Sequence, residues 1–176
     1  MINSNTRLTK VEDVHLLPDI ERSAGERFRE ISSLAWIADD DVMSPETHLL
    51  YVAQSTSWVA EVDNQIVGFL CAESVDEDIH VWLLAVQLEW QGKGIGRQLM
   101  KTVIEHAHHN KFLSVTLTTF RDVPWNEPFY RALGFEIIDS EMIDSRLKKI
   151  LDEEIQHGLS GEMRCAMQLL LSRKLE

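Results

Sequence analysis

Residues 80–97 read HVWLLAVQLEWQGKGIGR, and the reading of this stretch decides the fold. Its first part belongs to DIHVWLLAV (78–86), an aliphatic, β-branched and aromatic run with the composition of a strand. Three glycines and two cations follow within residues 91–97. Beyond them Ile95, Leu99, Met100, Val103, Ile104 and Ala107 recur at three- and four-residue spacing, which marks one face of a helix. Glycine permits backbone angles closed to other residues and lets a ligand come close to the main chain. A helix start presents unpaired N–H groups and the positive end of its dipole. The junction therefore reads as a cradle for a phosphate or pyrophosphate, with Lys93 and Arg97 supplying charge. The alternative is a tight turn that simply leads into a helix.

Outward from this junction the chain alternates between strand and helix patterns. On the N-terminal side, TRLTK (6–10) reads as a short strand, and apolar positions from Leu16 to Ala35 predict one helix over 14–37. Ser44-Pro45-Glu46 is a helix start, with Ser as the cap and Pro in the first turn, and the helix runs to about Gln54. SWVAEV (57–62), a turn at Asp63-Asn64 and QIVGFLCAES (65–74) form a β-hairpin by pattern. On the C-terminal side, FLSVTLTTF (112–120) is a strand and PWNEPFYRAL (124–133) a short helix closed by Gly134. FEII (135–138), a charged helix over 143–157 and a last strand RCAMQLLLS (164–172) complete the order. This is a mixed α/β chain, antiparallel in front with a strand–helix–strand crossover behind. No linker, repeat or low-complexity tract divides it, so 1–176 reads as a single domain.

The bulk composition narrows the functional classes. No apolar run approaches the roughly 20 residues that span a bilayer, and the first ten residues lack a signal-like apolar core. The cytoplasm is the resulting expectation, with no membrane partner. Cys71 and Cys165 sit in apolar surroundings and read as buried thiols of a reducing compartment. Formal charge is 17 − 29 = −12, which argues against nucleic acid as a partner. The charge is uneven: residues 12–41 hold nine acids against three Arg, and ESVDED (73–78) holds four acids and no base. Residues 91–101 hold Lys93, Arg97 and Lys101 and no acid. A basic spot in an acidic protein suits an anionic and a cationic ligand bound side by side.

Spacing separates the glycine run from two other anion-binding motifs. A P-loop needs G-x-x-x-x-G-K-[ST], which Gly92-Lys93-Gly94 does not supply. A dinucleotide fingerprint from Gly94-x-Gly96 needs a third small residue where Leu99 stands. What fits is [Q/R]-x-x-G-x-G, as Gln91-Gly92-Lys93-Gly94-Ile95-Gly96. A second stretch, Asn126-Glu127-Pro128-Phe129-Tyr130-Arg131-Ala132-Leu133-Gly134-Phe135, has the form N-x-x-[FA]-Y-x-x-x-G-F. Together these resemble the GNAT family of acyl-CoA-dependent N-acetyltransferases, well over residues 6–138 and by element order alone over 139–176.

The resemblance implies a GNAT fold: a central, mostly antiparallel sheet with a splayed parallel pair, flanked by helices. It implies acetyl-CoA as the acyl donor and direct attack by a primary amine, with no metal. The strand before the glycines would pair with pantetheine through the main chain of Leu84, Ala85 and Val86, a form of β-augmentation. The pyrophosphate would sit on the amides of Gln91, Gly92, Lys93, Gly94, Ile95, Gly96 and Arg97. Tyr130 occupies the family's general-acid position, with Phe129 beside it, and Asn126 would bond the pantetheine arm or cap its helix.

The general base is where the sequence departs from the family, because Trp82 stands where many relatives carry a strand glutamate. Two substitutes offer themselves. His80, two residues earlier on the strand, would act as base or relay with a pKa near neutrality. Glu26, with Glu30 four residues on, would present a carboxylate face on the first helix. His106, His108 and His109 are explained by favourable charge at a helix C-terminus and not by a metal. The acidic segments favour a small cationic acceptor such as a diamine or polyamine, with Trp36, Trp58 and Trp82 as candidate faces for the cation. A protein lysine, an aminoglycoside, or a non-catalytic acyl-CoA sensor are the other readings. The chain would act as a monomer or a homodimer, since 164–172 can complete its own sheet or a partner's.

Overall fold

The computed structural model describes residues 2–172. Twelve regular elements follow the order read from the sequence. They are β1 (Ser4–Leu8), α1 (Leu17–Gly25), α2 (Pro45–Ala53), β2 (Ser57–Val62), β3 (Gln65–Val75), β4 (Asp78–Val86), α3 (Ile95–His109), β5 (Ser114–Phe120), α4 (Glu127–Arg131), β6 (Glu136–Ile137), α5 (Ser145–Gln156) and β7 (Arg164–Leu170). The strands lie in the sheet order β1-β2-β3-β4-β5-β7-β6, and β4 and β5 pair in parallel. The chain packs as two compact units, one holding residues up to Glu73 and Val81–His106, the other Ser74–His80 and the chain from Ala107 onward.

In the first unit, β1 pairs antiparallel with β2 from Ser4↔Val62 to Leu8↔Trp58, and β2 pairs antiparallel with β3. The hairpin turn has φ +49° at Asp63 and +64° at Asn64, the two left-handed central residues of a type I′ turn. One core cluster gathers Leu17 and Ile20 of α1 with Val59, Phe69, Cys71 and Ala85 of the sheet. Gly68 on β3 is required by this packing. A Cβ there would lie 3.0 Å from the Ala85 carbonyl oxygen, 3.2 Å from Val86 Cγ2 and 3.4 Å from Ile95 Cγ2. The absent side chain is what lets the end of β4 and the start of α3 come close to β3.

One helix over 14–37 is not what forms. Val11–Leu16 is a 3₁₀ turn, α1 covers nine residues, and two more 3₁₀ segments, Glu26–Glu30 and Ser32–Asp39, follow. Ile31 between them is extended at φ −116°, ψ 109°. Gly25 and the Ser32-Ser33 pair are weak helix formers, and three-residue spacing of apolar positions serves a 3₁₀ turn as well as an α-helix. The correction matters for Glu26 and Glu30, which do not share an α-helical face.

In the second unit, Asp78–His80 of β4 pair in parallel with Ser114–Thr116 of β5. β7 lies between β5 and β6, antiparallel to both. The last strand therefore completes the sheet of its own chain. Ile138, Leu147, Ile150 and Ala166 form a core cluster in this unit. Asp144 caps α5 by accepting the Leu147 N–H at 2.8 Å.

Candidate active site

The glycine junction is a loop with an open face. Gly92 and Gly94 have φ +72° and +88°, angles that a side chain adopts only with strain. A Cβ at either would meet nothing within 4 Å, so these glycines are needed for the backbone path and not to avoid a neighbour. Gly96 differs: it lies inside α3 and is not among the positive-φ glycines. The helical bonding at this junction begins with Gln98 N–H donating to Gly94 O at 3.0 Å. The amides of Ile95, Gly96 and Arg97 therefore lie in the first turn, where an α-helix has no acceptor of its own. Ile95 is buried and anchors the turn, while Arg97 is exposed. Lys93 folds back, donating to Glu89 O at 2.7 Å with its ammonium 4.8 Å from the Trp90 ring centroid.

Gln91 ties this loop to its surroundings through its side chain. Nε2 donates to Val86 O at 2.9 Å and lies 3.4 Å from Ala24 O, while Oε1 accepts from Arg27 at 3.2 Å. Ser23 Oγ accepts the Leu88 N–H at 3.0 Å. The end of α1 is thus fastened to the residues that follow β4. The β4–β5 ladder is confined to Asp78–His80, so Leu84, Ala85 and Val86 run on past its last paired residue. Ala85 and Val86 are buried and Leu84 is half-buried.

In the second unit, Tyr130 lies on α4 with its N–H bonded to Asn126 O at 3.1 Å. Its ring makes edge contacts with Phe129 at 5.0 Å and Phe135 at 5.9 Å between centroids. No partner for its hydroxyl is present among the described residues. Burial pushes the phenol up to about 12, and Arg164 opposes that shift. The group is therefore neutral and carries its proton at physiological pH. Asn126 does not cap α4 with its side chain; Oδ1 instead accepts from Thr119 Oγ1 at 2.8 Å. Gly134, at φ +95°, ends the segment as the sequence predicts.

The two sequence-derived bases fare differently from their expectation. His80 is 1% exposed, and its Nδ1 lies 2.9 Å from Thr116 Oγ1. Burial, with Arg146 adding to it, lowers the imidazole to about 3 rather than near neutrality. Such a ring is neutral but holds an added proton poorly. Glu26 is ion-paired at 2.8 Å with Arg29, which also holds Asp39 at 2.8 Å. The Arg29 hydrogen bonds keep its carboxyl below the ordinary range, which weakens it as a proton acceptor. Three residues, and not four, connect Glu26 to its partner, as a 3₁₀ turn dictates.

Two carboxylates with defined partners, Glu73 and Glu21, were not singled out from the sequence. Trp82, 39% exposed, donates its indole N–H to Glu73 Oε2 at 2.9 Å. Glu73 and Cys71 both lie near enough to Tyr51 that their charge helps burial push its phenol up to about 12. Glu21 on α1 accepts the Met43 N–H at 2.9 Å. Of the other tryptophans, Trp58 is buried edge-on against His106 at 5.1 Å and faces no solvent cation.

Comparison with known proteins gives similarities of sequence and fold. Residues 53–137 match the family model of the Acetyltransferase (GNAT) domain. N-acetylaspartate synthetase of Danio rerio is 33% identical over 97 residues, 54% of this chain and 34% of that protein. A probable N-acetyltransferase, camello, of Xenopus laevis is 28% identical over 100 residues, 55% of this chain and 46% of that one. The chain thus spans less than half the length of these curated relatives. Among solved structures, the PaiA N-acetyltransferase of Thermoplasma acidophilum, in complex with coenzyme A, superposes with a TM-score of 0.71 at 17% identity. That superposition covers 97% of this chain and all of the other. N-acetylglutamate synthase of Neisseria gonorrhoeae, complexed with coenzyme A and N-acetyl-glutamate, gives 0.71 at 14% identity over 98% of this chain and 36% of that one.

Proposed function

Because residues 53–137 match the model of the Acetyltransferase (GNAT) domain, we propose that the chain is an N-acetyltransferase of that family. It moves an acetyl group from acetyl-CoA to a primary amine. The observation that carries this reading is the loop at Gly92 and Gly94, left-handed and open, set against the first turn of a fifteen-residue helix. Its amides, with Arg97, bind the pyrophosphate, and the main chain of Leu84 to Val86 aligns the pantetheine arm. Acetyl-CoA supplies an activated acyl carbon. The neutral amine attacks that carbon directly. Tyr130, neutral and carrying its proton, protonates the departing sulfur. Asn126, held by Thr119, and Phe129 shape the pantetheine side of the site.

The acceptor is a small cation of the diamine or polyamine class. The acids of 12–41 and 73–78 support this, and so does the pairing of Glu73 with the half-exposed ring of Trp82. A second reading, an amino-acid acceptor, is favoured by relatives named for N-acetylaspartate synthesis. Among the described residues no helix is long and apolar enough to cross a membrane. The deciding experiment is thiol release from acetyl-CoA and longer acyl-CoAs across spermidine, putrescine, L-aspartate and an aryl amine. Preference for spermidine supports the cationic acceptor, and preference for L-aspartate replaces it with the second reading. No turnover with any amine, despite coenzyme A binding, defines a sensor instead of an enzyme.

A further inference from the structure

We propose that Glu21 is the group that takes the proton from the acceptor's ammonium; this rests on the acetyltransfer reading above. Its geometry fits the role better than that of His80 or Glu26. One carboxyl oxygen is fixed by the Met43 N–H at 2.9 Å, and among the described residues no partner is present for the other. The side chain is therefore oriented and still has an acceptor position to offer. Its helix is fastened by Ser23 to Leu88 and by Ala24 to Gln91, which in turn bonds Val86. Glu21 lies about one helical turn before Ala24, on the same helix that is fastened to the end of β4.

The groups around Glu21 come from several elements. Arg22 is its neighbour on α1 and Asp40 faces it from the segment after the 3₁₀ turns. From β3, Cys71 lies close enough that the Glu21 charge helps burial push its thiol up, and Cys71 Sγ touches Met43 Sδ at 4.0 Å. Burial raises the Glu21 carboxyl above its ordinary value, opposed by the Met43 N–H and Arg22 and assisted by Asp40. A carboxylate raised in this way is a better match for an amine proton than one held low.

The step balances. Glu21 takes one hydrogen of the ammonium and passes it to water. The freed lone pair forms the N–C bond, and the C–S bond breaks with its electron pair going to sulfur. A second hydrogen ends on that sulfur through Tyr130, and the third stays on the amide nitrogen.

The test is Glu21→Gln, whose amide oxygen still accepts the Met43 N–H, assayed by thiol release across pH 5–9 beside calorimetric acetyl-CoA binding. With spermidine we expect kcat to fall about a hundredfold, the acid limb of the profile to disappear and acetyl-CoA affinity to stay within twofold. With an aryl amine, already neutral at assay pH, the loss is a few-fold at most. Glu21→Asp restores part of the rate and the acid limb. Equal losses with both amines, an unchanged rate, or a fall that tracks a lowered melting temperature in both variants overturns the assignment. A wild-type chain that binds acetyl-CoA and acetylates nothing overturns the acetyltransfer reading and this assignment with it, whereas an active wild type indifferent to Glu21→Gln sinks this assignment alone.

Discussion

Gln91 and Val86, five residues apart, are joined by a side-chain-to-carbonyl hydrogen bond of 2.9 Å that closes the turn between β4 and the glycine loop. The same amide group also reaches α1, so a single side chain connects strand, loop and helix. Gln91→Ala removes these bonds without altering the backbone amides of the glycine loop. A stability loss of about 1–2 kcal/mol is expected, with weaker coenzyme A binding because the loop is no longer held. Urea unfolding and calorimetry on the same variant check both parts. Intact binding with lowered stability would confine Gln91 to the fold.

The glycines separate by cause. Gly68→Ala forces a methyl to 3.0 Å from the Ala85 carbonyl, so either β4 or α3 must move. We expect a cost of about 1–3 kcal/mol together with weaker coenzyme A binding. Gly94→Ala meets no atom and loses only about 1–2 kcal/mol through its left-handed angle. Gly92→Asn is milder than Gly92→Val, because Asn tolerates that region. Melting curves of the four variants rank them, and a Gly68→Ala protein as stable as wild type contradicts the packing described.

Tyr130→Phe keeps the ring between Phe129 and Phe135 and removes only the hydroxyl. Turnover should fall about a hundredfold while coenzyme A affinity changes by less than about threefold. A variant that loses affinity and rate together would make the hydroxyl a binding group.

Two buried histidines set a pH dependence of stability. Burial lowers His48 from 6.5 to about 4 and, with Arg146 adding to it, His80 from 6.5 to about 3. Each binds its proton more weakly folded than unfolded. The stability that neutral burial confers is therefore complete above pH 6.5 and is lost on acidification, down to the folded pKa of each. The slope is at most about 1.4 kcal/mol per pH unit for each ring. Neither ring nitrogen of His48 has a hydrogen-bond partner, and its edge meets Phe69 at 5.1 Å between centroids. His48→Leu should therefore fold well at pH 7 and lose less stability than wild type on going to pH 5. Parallel urea curves at the two pH values test this, and equal losses would refute it.

The strand–loop–helix stretch was legible to within two residues, because Asp78–Val86 and Ile95–His109 each carry a clear period and the glycines punctuate them. The cap at Ser44 and the left-handed turn at Asp63-Asn64 were also readable, since each is encoded by neighbours in sequence. Glu21 was not. A glutamate on an amphipathic helix reads as solvated, and its partner Met43 lies 22 residues away in an irregular segment. His80 was misread for the same reason: strand alternation says which face a residue takes, but not that Thr116 of a distant strand waits there. Gly68 carried a faint signal, as any glycine inside a strand does, but its reason lies in Ala85 and Ile95.

The seat of β7 between β5 and β6 fixes an order of events on the ribosome. The first unit has all its residues once His106 has been added, and such a unit can begin to fold while synthesis continues. The two-residue β6 has β7 as its strand partner, and β5 gains its antiparallel neighbour only from the same seven residues. The nascent chain therefore carries the Tyr130 helix for some time before the strand that braces its sheet emerges. A release factor acting too early would leave a truncated product with an assembled first unit and an exposed β5 edge, a natural target for chaperones and proteases.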